Sequence, residues 1–137
     1  MKRLSRPAPV RRHKAAWRQA KGRAAFRAGH AAEWIAALLL MAKGYQVLGF
    51  RLKGRGGEID LLARRGRVLA VVEVKRRATL EAATLSLKPT QFDRLRAAGE
   101  AVRRNRPALQ RLDLRLDMVA LAPGRFPRHL RGVERGG

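Results

Sequence analysis

The sequence predicts a small α/β sandwich, a mixed sheet with helices packed on it. Three observations carry that expectation. The apolar pattern orders the elements as helix, three strands, helix, strand. A short turn joins the second and third strands as a hairpin. The second helix then stands between two strands which, if parallel, require a crossover connection. A length of 137 residues suits one domain, and 46% hydrophobic against 31% charged residues supplies one modest core.

Residues 30–43 read as the first helix, because Ile35, Leu38, Leu39 and Ala42 recur at three- and four-residue steps and Gly44 is placed to stop it. Tyr45 to Arg51 follows as a strand, and Trp34 and Tyr45 are expected in the core. Lys53 to Gly57 is a basic, Gly-rich turn. Glu58 to Arg64 and Arg67 to Lys75 are strands of β-branched and aliphatic character, joined at Arg65 and Gly66. Residues 76–89 are irregular. Pro89 suits a helix start, with Phe92, Leu95, Gly99 and Val102 marking one face of a helix to about Arg104. Leu112, Leu114, Leu116 and Met118 alternate with charged or small residues, as in a half-buried strand ending at Leu121. After Pro123 the chain is rich in Pro, Gly and Arg and is expected to fray. No internal repeat is visible.

Charge divides the chain. Thirty-two Lys and Arg against ten Asp and Glu leave a formal charge of +22, which favours a polyanionic partner and makes nucleic acid the first candidate. Residues 1–28 hold ten of those bases and no acid, so they read as a flexible basic arm that orders on a phosphate backbone. Residues 29–122 then form the domain and 123–137 a tail. Cysteine is absent, which excludes disulfides, thiolate metal sites and cysteine nucleophiles. His13, His30 and His129 are too scattered for a histidine cage, so any metal would be held by oxygen. The longest apolar stretch, Trp34 to Ala42, is about half the length needed to span a bilayer. With no signal-like apolar segment before residue 31, the expectation is a cytoplasmic protein without a membrane partner.

Because acids are scarce, their positions are informative. Glu58 and Asp60 fall in Gly57-Glu58-Ile59-Asp60-Leu61-Leu62, and Glu73 in Val71-Val72-Glu73-Val74-Lys75, both otherwise apolar. A carboxylate on such a strand is unfavourable unless paired or metal-bound. A two-residue turn at Arg65-Gly66 makes Asp60 a diagonal neighbour of Glu73; one at Gly66-Arg67 sets the two directly opposite; a three-residue turn sends them to opposite faces. On one face, Asp60, Glu73 and the Val74 carbonyl can supply the oxygens of a Mg²⁺ site. Lys75 can orient an attacking water or offset developing charge. The competing structural reading is a set of ion pairs with the plentiful Arg and Lys.

Asp60 followed by Glu73-Val74-Lys75 resembles the PD-(D/E)xK motif of restriction-endonuclease-like nucleases, with Ile59 in place of the motif's Pro. Together with Gly29-His30-Ala31-Ala32-Glu33, Gly44-Tyr45, Gly57-Glu58-Ile59-Asp60-Leu61, Val72-Glu73-Val74-Lys75-Arg76-Arg77 and Leu116-Asp117-Met118-Val119, it resembles the YraN-like family of small bacterial proteins over about residues 25–121. The resemblance implies a restriction-endonuclease-like α/β/α sandwich in which Asp60 and Glu73 bind Mg²⁺ or Mn²⁺. It also implies that Glu33 adds an acid from the first helix and that Gln91 lines the site. The expected activity is metal-dependent hydrolysis of phosphodiesters, in DNA more than RNA; the alternative is a non-catalytic nucleic-acid binder that keeps the fold. Lys53, Arg55, Arg76 and Arg77 bracket the acids in sequence, as phosphate clamps would.

Overall fold

In the computed structural model, which describes residues 30–54 and 57–136, helix α1 covers residues 30–42. The basic arm at 1–28 and Arg55 lie outside the described residues. Gly44, at φ +93°, ends α1 in a Schellman motif: its N–H donates to Met41 O and that of Tyr45 to Leu40 O, so the last carbonyls are satisfied. Three strands follow, β1 (Gln46–Gly54), β2 (Gly57–Arg65) and β3 (Val68–Arg76). A short helix α2 (Leu80–Thr84) precedes the long α3 (Pro89–Asn105). A 3-10 turn (Pro107–Leu109), β4 (Asp113–Leu121) and β5 (Arg128–Leu130) complete the described chain.

The five strands form one mixed sheet in the order β1-β2-β3-β4-β5. Only β3 and β4 are parallel, so the α2–α3 segment is the crossover that such a pairing requires. The β2–β3 hairpin turns at Gly66 and Arg67, pairing Arg65 with Val68. Gly66, at φ +60°, supplies the first position of a II′ loop, which fits the twist of the flanking strands.

The sheet separates two apolar layers. Ala36, Ala37 and Leu40 of α1 pack on Leu61, Ala63, Ala70, Val72 and Val119. Phe92, Leu95 and Ala98 of α3 pack on Leu62, Leu69, Val71 and Leu116 of the other face. β1 changes layer at its bulge near Leu48, and β1 and β2 then change layer together once more. Phe50 and its partner Leu61 belong to the α1 layer, whereas the next pair, Leu52 and Ile59, belongs to the α3 layer. Between those pairs lie Arg51, at φ +48°, and Asp60. Strict period-two alternation would keep both pairs in one layer, so the exchange turns on these two residues.

Several expectations are corrected. The buried stripe of α1 is Glu33, Ala36, Ala37 and Leu40, while Ile35 and Leu38 are exposed. A helix apolar on nearly every side offers two stripes to periodicity, and the alanine stripe wins because it lets α1 approach the sheet closely. Trp34 is half exposed and packs on Phe50 with ring centroids 4.8 Å apart, whereas Tyr45 is buried as expected. β1 extends to Gly54, so Lys53 lies on a strand. Residues 80–84 are helical, opened by Thr79, whose hydroxyl accepts from Ala82 N–H. The segment after Pro123 does not fray: β5 pairs with β4, and Val133 N–H donates to Leu116 O.

Candidate active site

Asp60 and Glu73 meet at the end of the β2–β3 ladder. The register, with Leu61 opposite Val72, continues to place Asp60 across from Glu73, the outcome expected for a turn at Gly66-Arg67. At this position Val74 N–H donates to Asp60 Oδ2 at 2.9 Å, so a side chain caps the ladder. Burial, then the adjacent Glu73 carboxylate, push the Asp60 carboxyl up to about 6, against the opposing pull of the Val74 N–H and Lys75. Lys75 Nζ lies 2.9 Å from Glu73 Oε2, with both side chains largely buried. The D…E-x-K residues are therefore one contact group.

These groups open into a cleft of about 150 Å³ lined by Gly57, Glu58, Asp60, Glu73, Gln91, Arg94 and Leu95. Gln91 and Arg94 stand three residues apart on α3 and so share a helix face. The Gln91 carbonyl oxygen accepts from Lys88 N–H, which fixes the side chain at the helix start. Arg94 is exposed and has no ion pair among the described residues.

Glu33 approaches from the α1 side. It is 8% exposed, and burial followed by the charge of Asp60 holds its carboxyl above the usual range. Its Oε2 lies 3.4 Å from Arg51 Nη1, and Arg51 Nη2 lies 3.4 Å from Glu58 Oε2. One guanidinium thus bridges two acids. Glu33 Oε1 and Glu58 Oε2 are nevertheless buried without a hydrogen bond, the second being within ion-pair distance of Arg51 but poorly directed.

Among the described residues no three His, Asp or Glu side chains close into a ready-made metal cage. The donor chemistry still fits a hard divalent ion. Mg²⁺ commonly takes one or two protein carboxylates and completes its shell with water and substrate phosphate. Asp60 has no cation within ion-pair distance among the described residues, and two neighbouring carboxylate oxygens lack a hydrogen bond. Asp60 and Glu73 would be the residues to hold such an ion. Val74 contributes its N–H to Asp60.

Lys53 lies opposite Glu58 on β1 and lines a separate cleft of about 420 Å³ with Gly54, Ala101, Val102, Arg104, Asn105 and Arg106. Arg76 and Arg77 are exposed at the end of β3, where the Arg77 guanidinium donates to Arg76 O at 2.8 Å.

A second polar cluster, to which sequence reasoning assigned no role, lies toward the β4–β5 edge. Asp117, 2% exposed, accepts from Arg115 at 2.8 Å through each oxygen and from Gly132 N–H at 3.0 Å. His129 Nε2 lies 2.9 Å from Asp117 Oδ2, and Lys43 Nζ 2.6 Å from His129 Nδ1. A lysine ammonium can only donate, so Nδ1 accepts and Nε2–H donates to Asp117. Arg115 also donates to Tyr45 OH at 2.6 Å. Burial alone would raise the Asp117 carboxyl, but the bonds from His129, Arg115 and Gly132 hold it below its ordinary value. This cluster ties α1's end, β4 and the tail together.

Fold and site define a small α/β protein with a five-stranded mixed sheet and a carboxylate–lysine cleft at one hairpin. The profile of the uncharacterised protein family UPF0102 matches residues 32–121. A UPF0102 protein of Caulobacter vibrioides (strain NA1000 / CB15N) is 59% identical over 113 residues, covering 82% of this chain and 90% of its own length. Another from Caulobacter sp. (strain K31) is 54% identical over 127 residues, 93% and 91% of the two chains. A third, from Parvibaculum lavamentivorans, is 51% identical over 111 residues, 81% and 84%. The chain belongs to the UPF0102 family, which bears out the YraN-like resemblance. No described helix is long and apolar enough to cross a membrane.

Proposed function

We propose that this protein is a metal-dependent endonuclease that hydrolyses phosphodiester bonds in nucleic acid, with DNA as the preferred substrate. The observation that carries the reading is the convergence of Asp60 and Glu73, the latter in contact with Lys75, at one cleft that also contains Gln91 and the exposed Arg94. Asp60 and Glu73 hold Mg²⁺ or Mn²⁺, and the bound ion supplies polarisation of the phosphoryl group and acidification of an attacking water. Lys75, kept in place by Glu73, offers an ammonium donor to the reacting oxygens. Arg94 can grip a non-bridging phosphate oxygen in the fork geometry that guanidinium provides. Lys53 and Arg104, on the neighbouring cleft, extend the cationic surface for flanking phosphates, and Arg76 and Arg77 supply a further group. The proposed location is the cytoplasm, where such a substrate is met.

The test is incubation with single-stranded, duplex and branched DNA and with RNA, in Mg²⁺ or Mn²⁺. Asp60→Asn and Glu73→Gln preserve shape and should each lower cleavage by about a hundredfold or more. Cleavage that survives both substitutions ends the mechanism. Salt-sensitive binding with no cleavage of any substrate leaves the non-catalytic binder, which the +22 charge supports independently of the acids.

A further inference from the structure

We propose that Glu33 and Glu58 form a second cation position beside Asp60 and Glu73, and that the Arg51 guanidinium is its built-in occupant, so that the chain takes a single divalent ion. The inference rests on the metal-dependent reading and adds to it a stoichiometry and a role for Arg51.

Four acids face one small region here, and each pair has a different answer to its own repulsion. Glu73 has Lys75 at 2.9 Å, and Asp60 has a backbone N–H and no cation. Glu33 and Glu58 share Arg51, whose two terminal nitrogens lie 3.4 Å from an oxygen of each. The guanidinium supplies charge without completing the hydrogen bonding. Glu33 Oε1, on a residue 8% exposed, has no hydrogen bond, and neither has Glu58 Oε2, which Arg51 faces without a directed one. Such oxygens are strongly disfavoured unless a cation faces them.

The backbone shows how Arg51 is delivered. Arg51 is the only non-glycine among the described residues with positive φ, at +48°, and it sits where β1 and β2 exchange faces. A residue held in that region persists when its surroundings over-determine it. Here the return is a side chain aimed between an acid from α1 and an acid from β2. A tethered guanidinium cannot leave as a free ion does, so the charge at this position is permanent. Arg51 is a positioning residue: it fixes where the ion goes by filling the other place an ion would go.

Mn²⁺ titration of the full chain near pH 7.5 tests this, with heat and free-Mn²⁺ electron paramagnetic resonance as readouts. Arg51→Asn removes the charge with a residue that tolerates positive φ, and Arg51→Lys keeps the charge. Wild type should take one ion per chain. R51N should bind Mn²⁺ about tenfold more tightly or take up a second ion, since a neighbouring positive charge is gone, and R51K should behave as wild type. Thermal melts establish that both variants are folded. Two ions in wild type, or a folded R51N with one ion at unchanged or weaker affinity, overturns the proposal and leaves the metal site standing. Absence of Mn²⁺ binding in both wild type and R51N removes the metal site and the proposal together.

Discussion

Asp60 is held between opposing demands, since the site needs its charge and its surroundings resist it. Its carboxyl titrates near 6 when folded against 3.8 as the ordinary value. The folded state therefore binds this proton more tightly than the unfolded chain does. The associated stability is complete below about pH 4 and is lost as pH rises through 6. Asp60→Asn, which keeps an acceptor for Val74 N–H, should stabilise the protein at pH 7.5 by on the order of 2 kcal/mol and have little effect at pH 4. Urea unfolding at the two pH values checks this, and equal effects at both would refute the assignment of burial and Glu73 as the cause. Asp117 has the opposite sign: its bonds stabilise the fold above the ordinary carboxylate value and fail as pH falls through the lower, folded one. Asp117→Ala strands Arg115 and should cost about 3–5 kcal/mol, read in the same denaturation assay. At this scale the sequence was readable where acids were rare. Asp60, Glu73 and Lys75 stood out against apolar strands, and the structure joins them. Arg51, Arg94 and His129 were not readable, because an Arg among many, or an isolated His, acquires meaning only from residues far away in the chain.

Elements with one clear period were legible, and elements with two were not. Helix α3 has a single apolar face, and Phe92, Leu95 and Gly99 are buried as their spacing predicts. Helix α1 is apolar almost throughout, so its true stripe went unseen, and Glu33 stood out only through the family resemblance. Helix α2, five residues long, is too short to display a period. The tail was misread because Pro, Gly and Arg composition contains no trace of the Asp117 bonds that hold it. Gly99 marks where α3 comes closest to the sheet: a Cβ there would lie 2.7 Å from Val71 Cγ2 and 3.1 Å from Leu114 Cδ1. Gly99→Ala should therefore lose about 1–3 kcal/mol by overpacking, despite alanine's better helix propensity. A thermal melt that rises instead would show that the sheet yields at this contact.

For the whole molecule, charge sets the terms of any encounter. The proposed nucleic-acid complex should weaken by about 10³–10⁵ between 50 and 200 mM salt if it engages six to ten phosphates. Fluorescence anisotropy measures that slope, and a flat response would argue against a phosphate-tracking surface. Replacing both Asp60 and Glu73 by their amides should tighten binding in metal-free buffer, because two negative charges leave the path of a polyanion. The exchange of faces at Arg51 and Asp60 puts Asp60 where the two layers of the sandwich communicate, so Glu33 of α1 acts on its charge from one side and α3 lines its cleft on the other. Hairpin length thereby becomes as consequential as chemistry. Losing a single codon between Leu61 and Val72 would swing Asp60 away from Glu73 altogether, an error that no later substitution of one side chain could mend.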